Sequence, residues 1–200
     1  MKVFLGGEGP DELGSWVYER PYRDAKSMRP GVVEALLRKV SAAGWAVVDG
    51  LPWRLIRKYR HGREMHAAEM RNVLGLALRA AEAGCQILAF VRDRDGDDAR
   101  ERDVEAGIGD AKARFPQLKI VGGVAIEELE AWLLALLGSS GTEAMHDAKA
   151  LLADLHEVRS TEQKVELVEQ ADLPRVPKDA VSLKAWLGRA EDVLQAAARR

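Results

Sequence analysis

Four short apolar runs punctuate the chain, each bounded by glycine, aspartate or a cluster of charge: Lys2–Leu5, Trp45–Val48, Gln86–Val91 and Lys119–Val121. They are rich in Val, Ile, Leu and Phe and too short for buried helices, which predicts strands. The stretches between them carry helical periodicity. Val32–Ala43 places Val33, Leu36, Leu37 and Val40 on one stripe ending near Gly44. Glu64–Ala83 sets Met70, Val73, Leu74, Ala77 and Ala81 on one face, with Gly84 as the stop. Asp97–Phe115 is a charged helix closing before Pro116, and Glu127–Leu137 is apolar over most of its surface up to Gly138. Strand and helix thus alternate, which predicts an α/β fold: a mainly parallel, four-stranded, Rossmann-like sheet flanked by helices.

Beyond residue 138 no strand-like run remains, and Thr142–His156, Glu162–Gln170 and Lys178–Arg199 read as helices. The last carries Leu183, Trp186, Leu187, Ala190, Leu194 and Ala197 at helical spacing, an apolar face that must dock, first on its own sheet and second on a partner or a homodimer mate. The chain divides on this reading into an α/β domain, residues 1–137, and a helical C-terminal extension, residues 138–200, packed on the same domain. Ala171–Asp179, ADLPRVPKD, is the best candidate for a linker.

Composition sharpens this without changing it. A hydrophobic share of 47% with 31% charge supports a packed core and excludes a disordered chain. With a net charge of −2, any affinity for nucleic acid must come from a local basic patch. The single cysteine, Cys85, excludes an intramolecular disulfide framework and a cysteine-rich zinc site. The apolar run of MKVFLGGEG is too short for a signal peptide, and no segment reaches membrane-spanning length, so a soluble cytoplasmic protein with no membrane partner is expected.

The chemistry lies at the strand ends, where open α/β sheets bind ligands. The first strand exits into GGEGPDE, which carries Glu8 and Glu12. The third exits into DRDGDD, with Asp93 and Asp95 two residues apart and directed to one side for as long as the chain stays extended. The fourth exits into AIEELEAW, with Glu127, Glu128 and Glu130. Two carboxylates about 4 Å apart at an effective dielectric near 20 repel by roughly 4 kcal/mol, so this crowding asks for compensation. Oxygen ligands without nearby His or Cys suit Mg²⁺ or Mn²⁺. Part of the acidity has a simpler origin, because a carboxylate at a helix N-terminus gains about 0.3–1 kcal/mol from the macrodipole. That accounts for Glu127 and Glu128, and Asp97 with Asp98 reads as an N-cap pair.

Other motifs fail on spacing. DRDGDD starts like a calcium loop, but its glycine falls at the fourth position, and Val104 stands where the closing Glu belongs. GGEGP matches neither the dinucleotide fingerprint nor a P-loop. A phosphoacceptor domain needs Thr or Ser and a Lys at later strand ends, which the fourth strand does not offer. His61 and His66 are too loosely spaced for a metal pair.

A glutamate after the first strand, followed by a hydrophobic strand ending in D-x-D, resembles the Toprim fold. The counterparts are Glu8, within GGEGPDE, and Asp93 with Asp95, within FVRDRD. A narrower likeness is to small stand-alone bacterial Toprim proteins of the OLD and RloB groups. It rests on Glu8-Gly9-Pro10-Asp11-Glu12 and on Glu128-Leu129-Glu130-Ala131-Trp132-Leu133-Leu134, spans residues 1–137, and has a weaker echo in the Pro-Lys of VPKD. Gly7 stands where that pattern has an aliphatic residue. The resemblance implies a metal-dependent nuclease, commonly working with a partner ATPase in phage defence. Glu8, Asp93 and Asp95 would hold Mg²⁺ or Mn²⁺, Glu12 or Glu130 would complete a second metal site, and Lys178 would reach the phosphate.

The nucleic acid, DNA ahead of RNA, would run along Leu51–Arg63, where Arg54, Arg57, Lys58, Arg60 and Arg63 alternate with Trp53 and Tyr59 and no acid intervenes. The alternative for that segment is a solvated basic turn anchored by Trp53 and Ile56. The alternative for the whole protein is a catalytically silent Toprim-like module that binds a partner protein or nucleic acid.

Overall fold

The computed structural model describes residues 1–18, 28–57, 59 and 67–198. Its centre is one sheet of four parallel strands, β1 (Lys2–Gly7), β2 (Ala46–Pro52), β3 (Ile87–Asp93) and β4 (Lys119–Ala125), in the order β2-β1-β3-β4. A parallel sheet is covered on both faces, so its strands read as continuous apolar runs, as Val3–Gly7 and Ile87–Val91 do, buried at every position.

All four strands run further than their apolar runs predict, and β4 shows why. Glycine ends a strand in a sequence reading, yet β4 continues through Gly122 and Gly123 to Ala125. A β-carbon on Gly122 would lie 2.2 Å from the Phe90 ring, so the missing side chain is what lets a large aromatic of β3 fill that space.

One face of the sheet packs on α3 (Ala68–Glu82) and α4 (Asp98–Arg114), through Phe4, Leu88, Phe90 and Ile120 against Val73, Leu74, Ala77, Val104 and Ile108. The other face carries α1 (Pro10–Leu13), α2 (Val32–Val40), α5 (Leu129–Leu136), α6 (Ala148–Leu155), α7 (Thr161–Gln170) and α8 (Val181–Ala198). Residues 142–156, expected as one helix, form a short 3₁₀ turn at Thr142–Ala144 followed by α6.

The segment after residue 138 shares the core of the sheet. Trp186 of α8 is 1% exposed, donates its Nε1–H to the carbonyl of Phe90 at 3.0 Å and packs obliquely on Trp132. Ala171–Asp179 is a packed corner instead of a free linker, since Ala171 and Val176 are buried in the same core. Among the described residues no helix is long and apolar enough to cross a membrane.

The strand order has a functional consequence. From β1 the chain leaves over one face toward β2, and from β3 it leaves over the other face toward β4. The carboxyl ends of β1 and β3, adjacent in the middle of the sheet, therefore lie at the topological switch point, the crevice position of open α/β sheets.

Candidate functional site

That crevice holds the acids. β1 ends at Gly7, and Glu8 and Gly9 lead directly into α1. Glu12, 6% exposed, turns its Oε2 back to accept the Gly9 N–H at 2.7 Å, filling one of the unpaired donors at the start of α1. Gly7 is required here, because a β-carbon on it would stand 2.5 Å from the Glu12 Cβ. The aliphatic residue of the resembling pattern would push Glu12 out of the crevice.

On the same side of β3 as Val91 stands Asp93. Its Oδ1 is enclosed and has no hydrogen-bond partner. Burial, followed by the nearby charges of Glu12, Glu130 and Asp95, pushes its carboxyl up to about 8. Burial likewise raises Glu12 above the ordinary range, with Asp11 and Glu130 adding to it.

Across the crevice, α5 presents Glu130, 5% exposed, and α7 presents Lys164, 2% exposed. The Lys164 ammonium donates to Glu130 Oε1 at 2.5 Å and to Asp11 Oδ2 at 2.6 Å. Burial alone would lower the Lys164 pKa, but the bonds to Asp11 and Glu130 outweigh it and hold the pKa above its usual value. Asp11 shows the mirror effect: burial raises it, and the bonds from Lys164 and Thr161 bring it below its usual value.

The other side of the β3 end is built around two guanidinium groups. Arg92, 9% exposed, donates to Glu8 Oε1, lies 3.3 Å from Glu69 Oε1 and packs over the Trp53 ring at 5.6 Å. Arg100 donates to Asp95 Oδ2 at 2.6 Å and to the carbonyl of Asp93 at 2.7 Å. Glu8 also accepts the Asp93 N–H at 3.1 Å, so it sits against the end of β3.

Asp95 does not continue the strand that carries Asp93. The strand ends at Asp93, the next residues turn, and Asp95 takes a left-handed φ of 50°. Its N–H donates to the carbonyl of Glu127 at 3.1 Å, and Glu127 is itself left-handed at φ 66°. Two non-glycine residues in this region, bonded to each other at the rim of a crevice, mark strain held by the surrounding fold.

Of the predicted residues, the structure therefore brings Glu12, Glu130 and Asp95 close enough to act on the Asp93 carboxyl. Glu8 and Asp95 meet at Arg92, whose Nη1 bonds Glu8 and lies 3.8 Å from Asp95 Oδ2. Among the described residues no three carboxylate, His or Cys side chains are already drawn into a metal cage. The pairings explain it: Lys164 holds Glu130, and Arg92 and Arg100 hold Glu8 and Asp95.

Lys178 is exposed on the corner before α8 and has no ion pair among the described residues. Glu127 pairs with Arg94, and Glu128, the N-cap of α5, accepts the Lys149 N–H at 2.6 Å instead of capping its own helix. Asp97 does cap α4, accepting the Ala99 N–H at 3.1 Å.

In the basic segment, Arg54 and Arg57 are exposed, while Lys58, Arg60 and Arg63 lie outside the described residues, as do His61 and His66. Trp53 and Ile56 are each 8% exposed and belong to the core, and Trp53 donates its Nε1–H to Glu69 at 2.8 Å. Trp53 is thus an anchor and not a stacking platform.

Sequence reasoning missed Arg92, Arg100 and Lys164. The first two were hidden by the acids around them. Lys164 had a usable signal: it falls on the Lys164–Val168–Ala171 line of α7, where an apolar residue belongs.

Comparison of the chain with family models, with curated proteins and with solved structures finds no match.

Proposed function

We propose that the protein is a Mg²⁺- or Mn²⁺-dependent nuclease of the Toprim type, cleaving phosphodiester bonds at the crevice between β1 and β3. One observation carries the reading: the buried, unpartnered Asp93 Oδ1, crowded by Glu12 and Glu130 at the switch point of a parallel sheet. A buried carboxylate oxygen without a donor is a deficit that a cation fills. The donor set, all oxygen, suits the hard ions Mg²⁺ and Mn²⁺.

Asp93 and Glu12 would hold the ion, with Glu8 the next carboxylate along the same edge and Glu130 beside them on Lys164. A bound Mg²⁺ supplies Lewis acidity and a water of lowered pKa at the phosphate. Glu12 is kept in place by the Gly9 N–H, and Glu130 by Lys164. The side chains of Arg92 and Arg100 hold Glu8 and Asp95 and set positive charge beside the acidic pocket, where a phosphodiester would lie.

The test is a cleavage assay of the full chain on plasmid DNA, single-stranded DNA and RNA with Mg²⁺, Mn²⁺ or a chelator. Metal-dependent cleavage is expected, reduced at least about 100-fold in Asp93→Asn and in Glu12→Gln, with DNA preferred. The native chain should also melt higher with Mn²⁺ while Asp93→Asn does not respond. Cleavage undiminished in Asp93→Asn would reject the site.

A second reading has an observation of its own. Because Glu8 and Asp95 are already paired with guanidinium groups, the sheet edge also suits a catalytically silent module that binds nucleic acid or a partner protein through Arg92, Arg100 and the exposed Arg54 and Arg57. It predicts binding that survives Asp93→Asn with no cleavage under any metal.

A further inference from the structure

Lys164 is the least expected residue of the crevice. Long charged side chains are almost never fully buried unless paired, and this one is 2% exposed with both partners inside the acidic cluster. Its Nζ lies 2.5 Å from Glu130 Oε1 and 2.6 Å from Asp11 Oδ2. The remaining Asp11 oxygen accepts the Thr161 hydroxyl at 2.5 Å, so α7 commits both oxygens of Asp11.

Retreat is blocked. The Ser160 hydroxyl accepts the Gln163 N–H at 3.2 Å in a reciprocal capping box, and Val165, Leu167 and Val168 bury the apolar face of α7. The ammonium is therefore a fixed part of the site.

Two-metal phosphodiesterases place their ions about 3.5–4 Å apart and bridge them through shared carboxylate oxygens. On the Glu130 side of this crevice a carboxylate oxygen that a second ion would need already accepts from the compact Lys164 ammonium. Next to Asp93 the opposite holds: its Oδ1 has no partner.

We infer that Lys164 occupies the place of a second divalent ion, so that the crevice takes one Mg²⁺ or Mn²⁺ per chain at Asp93. The inference rests on the metal-dependent reading above and assigns its stoichiometry. Lys164 is a positioning residue: it neutralises Glu130 and Asp11 and directs the single ion to the Asp93 side.

The experiment counts ions on the full chain, by calorimetric titration with Mn²⁺ and by electron paramagnetic resonance of the bound ion. The native chain should bind one Mn²⁺ and show an isolated-ion spectrum. Lys164→Gln, neutral and still able to donate to Glu130, should bind two and show the signal of an exchange-coupled pair. Two ions in the native chain would overturn the assignment of Lys164 and leave the carboxylate site standing. A count still at one in folded Lys164→Gln would overturn it as well. No bound ion in the native chain would remove the metal reading itself. Should Lys164→Gln fail to fold, the native count alone decides between one ion and two.

Discussion

Asp93 is a carboxyl group that is uncomfortable when charged. Its pKa of about 8 in the folded chain, against an ordinary value of 3.8, means the folded state holds a proton that the unfolded state has already released. Stability therefore falls as pH rises from about 4 to about 8 and levels off above that. Asparagine carries no such penalty. Without metal, Asp93→Asn is expected to be more stable than the native chain, with a difference that grows by on the order of 3 kcal/mol between pH 5 and pH 8. Urea titrations at the two values measure it directly, and a difference independent of pH would show that Asp93 is not held protonated.

At the scale of elements, α8 decides whether the sheet is closed. Its Trp186 fills the space beside Gly123 and donates its N–H to the Phe90 carbonyl of β3. Truncation to alanine leaves a cavity and an unpaired carbonyl, so Trp186→Ala should cost about 3–5 kcal/mol in a chemical denaturation curve. The effect reaches the end of β3, because the Phe90 carbonyl lies three residues before Asp93. The elements were mostly legible from periodicity, since a 3.6-residue stripe or a short apolar run follows from which side must face the core. Their ends were not. β4 passes through Gly122 because Phe90 of another strand fills the gap, and no local pattern in LKIVGGV reports that neighbour.

At the scale of the whole molecule, the sheet and the C-terminal helices share one core, in which Trp132, Leu133 and Leu183 are all at most 1% exposed. One cooperative unfolding transition is expected for the full chain. A chain ending at Leu137 would bare the face of α5 that α7 and α8 cover. It should show no cooperative transition and should bind a dye for exposed apolar surface. A sharp melt of that shortened chain would mean the sheet folds on its own.

The order of apolar runs and helical stripes was enough to determine the α/β class, the four strands and the crowding of acids at their carboxyl ends, because these follow from local periodicity and from the rule that strand ends face one way in a parallel sheet. Which acids meet was a tertiary matter. The D-x-D spacing sends Asp93 and Asp95 to one side only in extended chain, and a turn locked by the Asp95–Glu127 hydrogen bond sends Asp95 to the arginines instead. Lys164 reaches Asp11 from 153 residues away. Charge pairing depends on distance through space, and a linear chain records distance only along itself.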